Sequence, residues 1–147
     1  MDINNSVTQV KEPLGRIMGK IGRTLMANIH KSLPGVTIKR SYYPLLLIDA
    51  GRGKMTQNDL ARELSCNKVQ VVRIINYLSS AGYVERVPDP RDRRKYNLTV
   101  TEKAQAEIPD IKKALEKYTD KALRNIPEEK VHELYSLLHL IERNLSN

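Results

Sequence analysis

The feature that most constrains this chain is a change of hydrophobic period near residue 82. Before it, residues 56–59 form a helix-capping pattern, and Asn67 can cap a second helix that Gly82 ends. After it, residues 83–87 and 95–100 are rich in β-forming side chains and predict two strands. Two short helices, followed by two strands around a turn-rich loop, have the order of a winged helix-turn-helix.

The segments before this region are predicted to be helical. Residues 10–29 carry an apolar stripe with helical spacing, and Pro13 suits a first turn, so this helix is expected to begin near residue 12. A further helix is expected to begin with Ser41 as its N-cap and to end at residues 51–53.

The C-terminal third predicts two more helices. An apolar stripe from Ile108 to Ala122 indicates the first, which Pro109 should bend or split, and Pro127 opens the last. The last helix carries a heptad-like seam whose members step three and four positions along the chain. These seam residues are Val131, Leu134, Leu138, Ile141 and Leu145.

The final helix also carries apolar residues off that seam, at Leu137 and Leu140. A helix with two apolar sides needs two neighbours, which a second subunit would supply; the alternative is that the helix packs wholly inside its own chain. We predict a mostly α fold, an α+β winged helix in a single compact chain. Residues 1–37 and 101–147 are the predicted helical dimerisation region, and residues 38–100 are the predicted winged helix-turn-helix DNA-binding region.

Positive charge is concentrated in the middle of the chain. Residues 38–100 carry twelve Lys and Arg side chains against six Asp and Glu, whereas residues 101–147 carry eight against nine. This asymmetry indicates that the middle segment binds a polyanion. The alternative is a solvated basic surface.

The composition argues against several classes of protein. No apolar run is long enough to span a membrane and the first residues lack a signal pattern, so we expect a cytoplasmic protein. One cysteine and three scattered histidines leave no basis for a disulfide or a metal site. No nucleophile–base pair, carboxylate dyad or glycine-rich loop has a recognisable spacing, so we expect neither an enzyme nor a bound cofactor.

Four motifs within residues 55–105 resemble the core of the MarR (multiple antibiotic resistance regulator) family of bacterial transcription factors. They are Thr-Gln-Asn-Asp-Leu-Ala at 56–61, Leu-x-x-x-Gly-Tyr-Val-Glu-Arg at 78–86, Asp-Pro-Arg-Asp-Arg-Arg at 89–94 and Leu-Thr-Val-Thr-Glu-Lys at 98–103. The resemblance implies a homodimer that binds palindromic operator DNA, usually as a repressor, and that is often released by a small ligand or an oxidant.

The helix after Asn67 has an outward side suited to reading double-stranded DNA. An α-helix fits the major groove, where its first residues reach the base edges. Gln70 could either pair with an adenine or cap the helix as a partner of Asn67. The two basic residues, Lys68 and Arg73, either contact DNA or are solvated charges on the helix surface. The outward candidates are Lys68, Val69, Gln70, Val72 and Arg73.

The predicted wing places four basic residues within five positions. Arginines on a hairpin tip suit the minor groove, whose negative potential attracts them; the alternative is a merely soluble hairpin edge. In the resembled family an Asp-x-Arg pair marks the tip, and Asp92 and Arg94 match it. The resemblance implies that the arginine enters the minor groove while the aspartate braces the loop or orients a neighbouring arginine. The wing candidates are Arg91, Asp92, Arg93, Arg94 and Lys95.

Two further features leave more than one interpretation open. A pocket for a small effector is expected where the helical region meets the winged region, with Arg16, His30, Tyr42 and Tyr43 as candidate polar contacts. Cys66, just before the recognition helix, is either a redox-sensitive thiol or a small packing residue. A rival function is a winged-helix module whose basic face binds a protein or another polyanion instead of operator DNA.

Overall fold

The computed structural model describes residues 10–146, so the parts of the predictions that fall on residues 1–9 and 147 lie outside it. Helices dominate the described residues, and a small antiparallel sheet completes the winged helix, which confirms the predicted fold class. The elements are α1 (Leu14–Lys31), α2 (Tyr42–Ala50), β1 (Met55–Thr56), α3 (Gln57–Glu63), α4 (Lys68–Ser80), β2 (Val84–Pro88), β3 (Tyr96–Val100), α5 (Glu102–Ala122) and α6 (Glu128–Ser146).

The described residues divide into two compact units. Residues 30–116 form one, which we call the winged unit, and residues 10–29 together with 117–146 form the other, which we call the helical unit. The assignment of DNA binding to residues 38–100 and of dimerisation to the flanking segments remains a prediction.

The start of α3 follows the predicted capping pattern. The Thr56 hydroxyl accepts a hydrogen bond from the Asp59 amide at 3.2 Å, and the Asp59 carboxylate accepts one from the Thr56 amide at 2.9 Å. The two residues thereby satisfy backbone N–H groups that a helix start leaves without partners. The hydrogen bonds from Thr56, the backbone one first, lower the pKa of Asp59.

Three helix predictions need correction. Helix α1 begins at Leu14, two residues later than expected, and the Pro13 carbonyl accepts hydrogen bonds from the first turn. Ser41 does precede α2, but its backbone is left-handed (φ 68°) and its side chain makes no capping bond. Pro109 is expected to bend or split its helix; α5 continues through Pro109, so the split does not occur. Buried Ile108 and Ile111 hold the turns around the proline, whose own side chain is exposed.

The sheet contains a strand that the sequence pattern did not reveal. β3 lies in the middle, paired antiparallel with β1 on one side and with β2 on the other. Leu98 of β3 is opposite both Met55 and Arg86, and it is almost fully buried. β1 spans only two residues, too few for an alternating pattern to be visible in the sequence.

The core of the winged unit closes around Tyr83, which is fully buried. The Tyr83 hydroxyl donates a hydrogen bond to the Glu107 carboxylate and accepts one from the Thr37 amide at 3.1 Å. The Lys103 ammonium lies 4.7 Å from the ring centroid and donates to the Ala81 carbonyl at the end of α4. Burial first, and the bond to Glu107 second, raise the pKa of Tyr83. These contacts tie the start of α5 to the end of α4.

Candidate nucleic-acid interface

Helix α4 presents most of its predicted DNA-facing residues to solvent. Lys68, Gln70 and Arg73 are exposed, and Val69 is 61% exposed although it is apolar. Val72 is half-buried, and it directly follows Val71, which belongs to the core. This side of α4 therefore combines cationic side chains with one exposed apolar side chain.

Gln70 takes part in the capping of α4, which was one of the two alternatives for it. Its side-chain oxygen accepts a hydrogen bond from the Asn67 amide at 3.0 Å, and the Asn67 side chain accepts from the Gln70 amide at 2.9 Å. A two-bond pairing with adenine needs both the oxygen and the nitrogen of the glutamine amide. The Gln70 oxygen already accepts the hydrogen bond from the Asn67 amide. To pair with adenine, it therefore has to accept a second hydrogen bond or give up the first.

The loop between β2 and β3 is held by its two aspartates. The Asp89 carboxylate accepts from the Arg91 amide at 2.8 Å, and the Asp92 carboxylate accepts from the Arg94 amide at 3.0 Å. The Arg94 guanidinium lies 3.5 Å from the same Asp92 oxygen, while its side chain is 92% exposed. Asp92 therefore braces the loop, and it also lies beside the arginine that projects from it.

The remaining wing candidates, Arg91, Arg93 and Lys95, are exposed. Lys95 also closes the loop through its backbone, since its carbonyl accepts from the Asp89 amide at 2.9 Å. The structure thus gathers a set of cations on a short, internally bonded hairpin tip. Such a tip presents positive charge without a large loss of conformational entropy on binding.

A basic cleft of about 270 Å³ adjoins the wing. It is lined by residues from the start of α3 and from both wing strands: Thr56, Gln57, Asn58, Arg86, Arg94, Lys95, Tyr96 and Leu98. Three of these side chains are cationic, so the cleft strengthens the positive field around the wing.

Sequence reasoning missed Arg86 and Asn76. The Arg86 guanidinium, on β2, donates a hydrogen bond of 2.8 Å to the side-chain oxygen of Asn76, on α4. Asn76 follows Val69 by seven residues, or about two helical turns, so it lies on the same outward side of α4. The seven-residue spacing from Val69 is visible in the sequence and indicates that Asn76 lies on the outward side of α4.

The four effector-pocket candidates do not share one observed cavity. His30 Nδ1 and the Tyr42 hydroxyl lie 3.2 Å apart within the winged unit, and Tyr42 is buried, which raises its pKa. Tyr43 is exposed, and Arg16 forms an exposed ion pair with Glu12. A cavity of about 580 Å³ in the helical unit is lined instead by residues of α1, α5 and the segment before α1, including Ile17, Leu25 and Tyr118.

The predicted seam on α6 is uncovered in the single chain. Leu134 and Leu138 are 37% and 36% exposed, Leu145 is 82% exposed, and Val131 and Ile141 are half-buried. Leu137 and Leu140, off the seam, are exposed too, and none of the described residues of α6 is buried.

Cys66 is half-buried just before α4. It lines a cavity of about 540 Å³ together with Gln70, Arg73 and Tyr77. Among residues 10–146, no group of His, Cys, Asp and Glu side chains is arranged to hold a metal ion. A search of the same residues finds no helix long and apolar enough to cross a membrane.

Comparison with known proteins agrees with this geometry. The sequence model described as the MarR family matches residues 36–95. The HTH-type transcriptional regulator BilQ of Clostridioides difficile (strain CD3) is 29% identical over 101 residues, which cover 69% of this chain and 68% of that protein. A crystal structure of MarR is 25% identical, covers 96% of both chains and superposes with a TM-score of 0.68.

A third relative, CouR, has been solved in two complexes. The transcriptional repressor CouR bound to a 23-mer DNA duplex is 22% identical, covers 92% of this chain and 99% of that one, and gives a TM-score of 0.72. CouR from Rhodococcus jostii RHA1 bound to p-coumaroyl-CoA is 21% identical, covers 91% and 95%, and gives a TM-score of 0.71. At these identities the likeness to CouR concerns the fold.

An exposed recognition helix beside a basic, internally braced wing defines the winged helix-turn-helix class of DNA-binding proteins. Within that class, the chain is similar to the MarR family, whose sequence model matches residues 36–95. The relative BilQ is a transcriptional regulator.

Proposed function

We propose that this chain is a homodimeric, sequence-specific repressor of palindromic operator DNA that a small ligand releases. The observation that carries the proposal is the pairing of two exposed readers in one unit: the outward side of α4 and the Asp92-braced Arg94 on the wing. A protein bound to such DNA is expected to work in the cytoplasm.

In this proposal α4 enters the major groove. Lys68 and Arg73 contact guanine edges or phosphates, and Val69 and Val72 contact thymine methyl groups. Gln70 caps the helix start and reads an adenine when its amide is free to turn. The relative CouR, which has the same fold, was solved on a DNA duplex, and that complex supports duplex DNA as the partner.

The wing supplies the second contact. Arg94 enters the adjacent minor groove, where its charge is attracted to the narrow, negative channel, while Arg91, Arg93 and Lys95 neutralise phosphates. Because Asp92 also accepts a backbone hydrogen bond from Arg94, the backbone that carries the arginine is held in place before DNA arrives.

In this proposal, a second copy of the chain buries the exposed apolar residues of α6 in a dimer interface. Several large apolar side chains of that helix are exposed, among them Leu134, Leu138 and Leu145, and water contact with such a surface costs free energy. A two-fold dimer reads a two-fold site, so the operator is expected to be an imperfect palindrome with half-sites about 10 bp apart, centre to centre.

The proposed effector is a small molecule, and the cavity of about 580 Å³ in the helical unit is large enough for one. Its lining combines apolar side chains with Tyr118, the cations Lys20 and Lys121, and the acidic Glu12, which suits an amphipathic molecule. CouR was solved with p-coumaroyl-CoA, an aromatic acyl thioester, and that complex supports a small-molecule effector. Arg16, His30, Tyr42 and Tyr43, which do not line this cavity, are proposed as contacts for a ligand only if it binds elsewhere.

The proposal is tested by selecting bound sequences from a random pool of duplex DNA. We expect an inverted repeat, and we expect the selected duplex to bind far more tightly than its separated strands or an RNA of the same sequence. Equal binding to all three polyanions, or no enrichment at all, would favour the rival module that binds a protein or another polyanion. A ligand screen against the selected complex then follows.

A further inference from the structure

The wing leaves the core soon after it begins. Val84 is buried, whereas residues 85–88 of β2 are exposed. β1 pairs with Asn97 and Leu98 of β3, and Leu98 is buried, so the sheet holds the base of the wing. Beyond Asn97 the hairpin has no third strand and little apolar burial, and a two-stranded hairpin is only marginally stable in water. A contact between the wing and α4 adds to the support that the sheet gives.

Arg86 makes such a contact between β2 and α4. It lies opposite the buried Leu98 in the β2–β3 register, so it continues the core-facing side of β2 beyond Val84. From there its guanidinium reaches across to α4 and donates to the Asn76 side-chain oxygen at 2.8 Å. A charge-assisted hydrogen bond thus joins the wing to the outward side of the recognition helix.

We propose that Arg86 is a positioning residue, which sets the wing against α4 through Asn76 so that both readers reach their grooves together. The proposal rests on the DNA-binding function proposed above. Arg86 acts through Arg94 and the wing and does not itself neutralise a phosphate. A hairpin already held at the right angle loses less conformational freedom on binding, and the affinity is higher for that reason.

The first arm of the test needs no DNA. Backbone ¹⁵N relaxation and amide hydrogen exchange are measured on residues 88–95 in the full-length protein. Asn76→Ala and Arg86→Ala should each increase wing mobility by a similar amount. Glu85→Ala, at the neighbouring exposed position on β2, is the matched control and should leave the wing unchanged. Unchanged wing dynamics in Asn76→Ala and Arg86→Ala would overturn the proposal.

The second arm is a double-mutant cycle on the selected operator, measured at several salt concentrations. Each single variant should lose roughly three- to tenfold in affinity, the size expected for one hydrogen bond, and the double variant should lose no more than either single one. The slope of log affinity against log salt should stay at its wild-type value in Asn76→Ala and in Arg86→Ala.

The competing interpretation, a direct phosphate contact by Arg86, gives a different pattern. Arg86→Ala would then flatten the salt slope by about one unit per subunit while Asn76→Ala changed nothing. That result would overturn the positioning role. If the wild-type protein selects no duplex, the DNA-binding function itself fails, but the relaxation arm still decides whether Arg86 and Asn76 hold the wing.

Discussion

The two units of this chain differ in how completely each covers its own apolar surface. In the winged unit, Leu45, Leu60, Ile75, Leu78 and Leu98 are essentially inaccessible to water. In the helical unit, none of the described residues of α6 is buried. In α1, the buried residue is Ile29, close to the end of that helix. The first unit has a finished core, whereas the second leaves large apolar side chains of α6 exposed.

This difference separates two kinds of stability. A finished core contributes a free energy of unfolding that does not depend on protein concentration. A surface that a second copy covers contributes only when that copy binds, so its effect follows mass action. Substitutions that change one unit and leave the other intact therefore test this difference directly.

The largest effect is expected on α6. Leu138→Asp should dissociate the proposed dimer and abolish tight operator binding, because an unpaired carboxylate in an apolar interface costs several kcal/mol. Sedimentation equilibrium measures the change in mass. Ser136→Asp adds the same charge to the same helix off the predicted seam and should leave the mass unchanged. A monomeric wild-type protein would contradict the proposed dimer.

The next effect is expected in the core of the winged unit. Ile75→Ala should lower the free energy of unfolding by about 2–5 kcal/mol, since it leaves a cavity at a fully buried position. Urea denaturation at two protein concentrations should give the same loss. Val69→Ala, on the exposed side of the same helix, should change stability by less than about 0.5 kcal/mol.

Arg94→Ala tests the wing without disturbing either unit. Affinity for operator and for scrambled DNA should fall together, and the salt dependence should flatten by about one unit per subunit, because one counterion-releasing contact is lost. Lys113→Ala, at an exposed lysine of α5, serves as the charge control. Fluorescence anisotropy at several salt concentrations measures both quantities. An unchanged slope in Arg94→Ala would show that the wing does not contact DNA.

Tyr83→Phe should destabilise the winged unit by about 1–2 kcal/mol, because the partners of the lost hydroxyl, Glu107 and the Thr37 amide, stay in place. The pKa of Tyr83 is raised in the folded state, so its stabilising contribution is present below about pH 10 and is lost as the pH rises through the folded-state value. Wild-type stability should therefore fall above pH 10 more steeply than that of the variant, as urea titrations across this range would show.

Gln70 separates capping from base reading. Gln70→Ala should cost about 1 kcal/mol of stability through the lost cap, whereas Gln70→Glu keeps a side-chain acceptor for the Asn67 amide and should cost less. If Gln70 also reads a base, both variants lose roughly 1–3 kcal/mol of discrimination at one base pair in each half-site. Thermal melts and binding to single-base operator variants distinguish the two roles. Specificity unchanged in both variants would leave Gln70 as a cap only.

The elements whose signals are local could be predicted from the sequence. The capping boxes at Thr56 and Asn67 and the turn chemistry of residues 89–94 depend on side chains within a few positions of the backbone groups they satisfy. The order of helices and strands followed from such signals, and with it the winged-helix class.

Contacts between residues distant in the chain could not be predicted, because they depend on how the elements pack. β1 exists because β3 provides its hydrogen-bond partners, and α5 continues through Pro109 because Ile108 and Ile111 are anchored in the core. Tyr83 with Glu107 and Arg86 with Asn76 are pairs of this kind. Periodicity shows which side of an element is apolar, but it does not show which distant polar side chain completes a hydrogen bond, because that depends on how the elements pack.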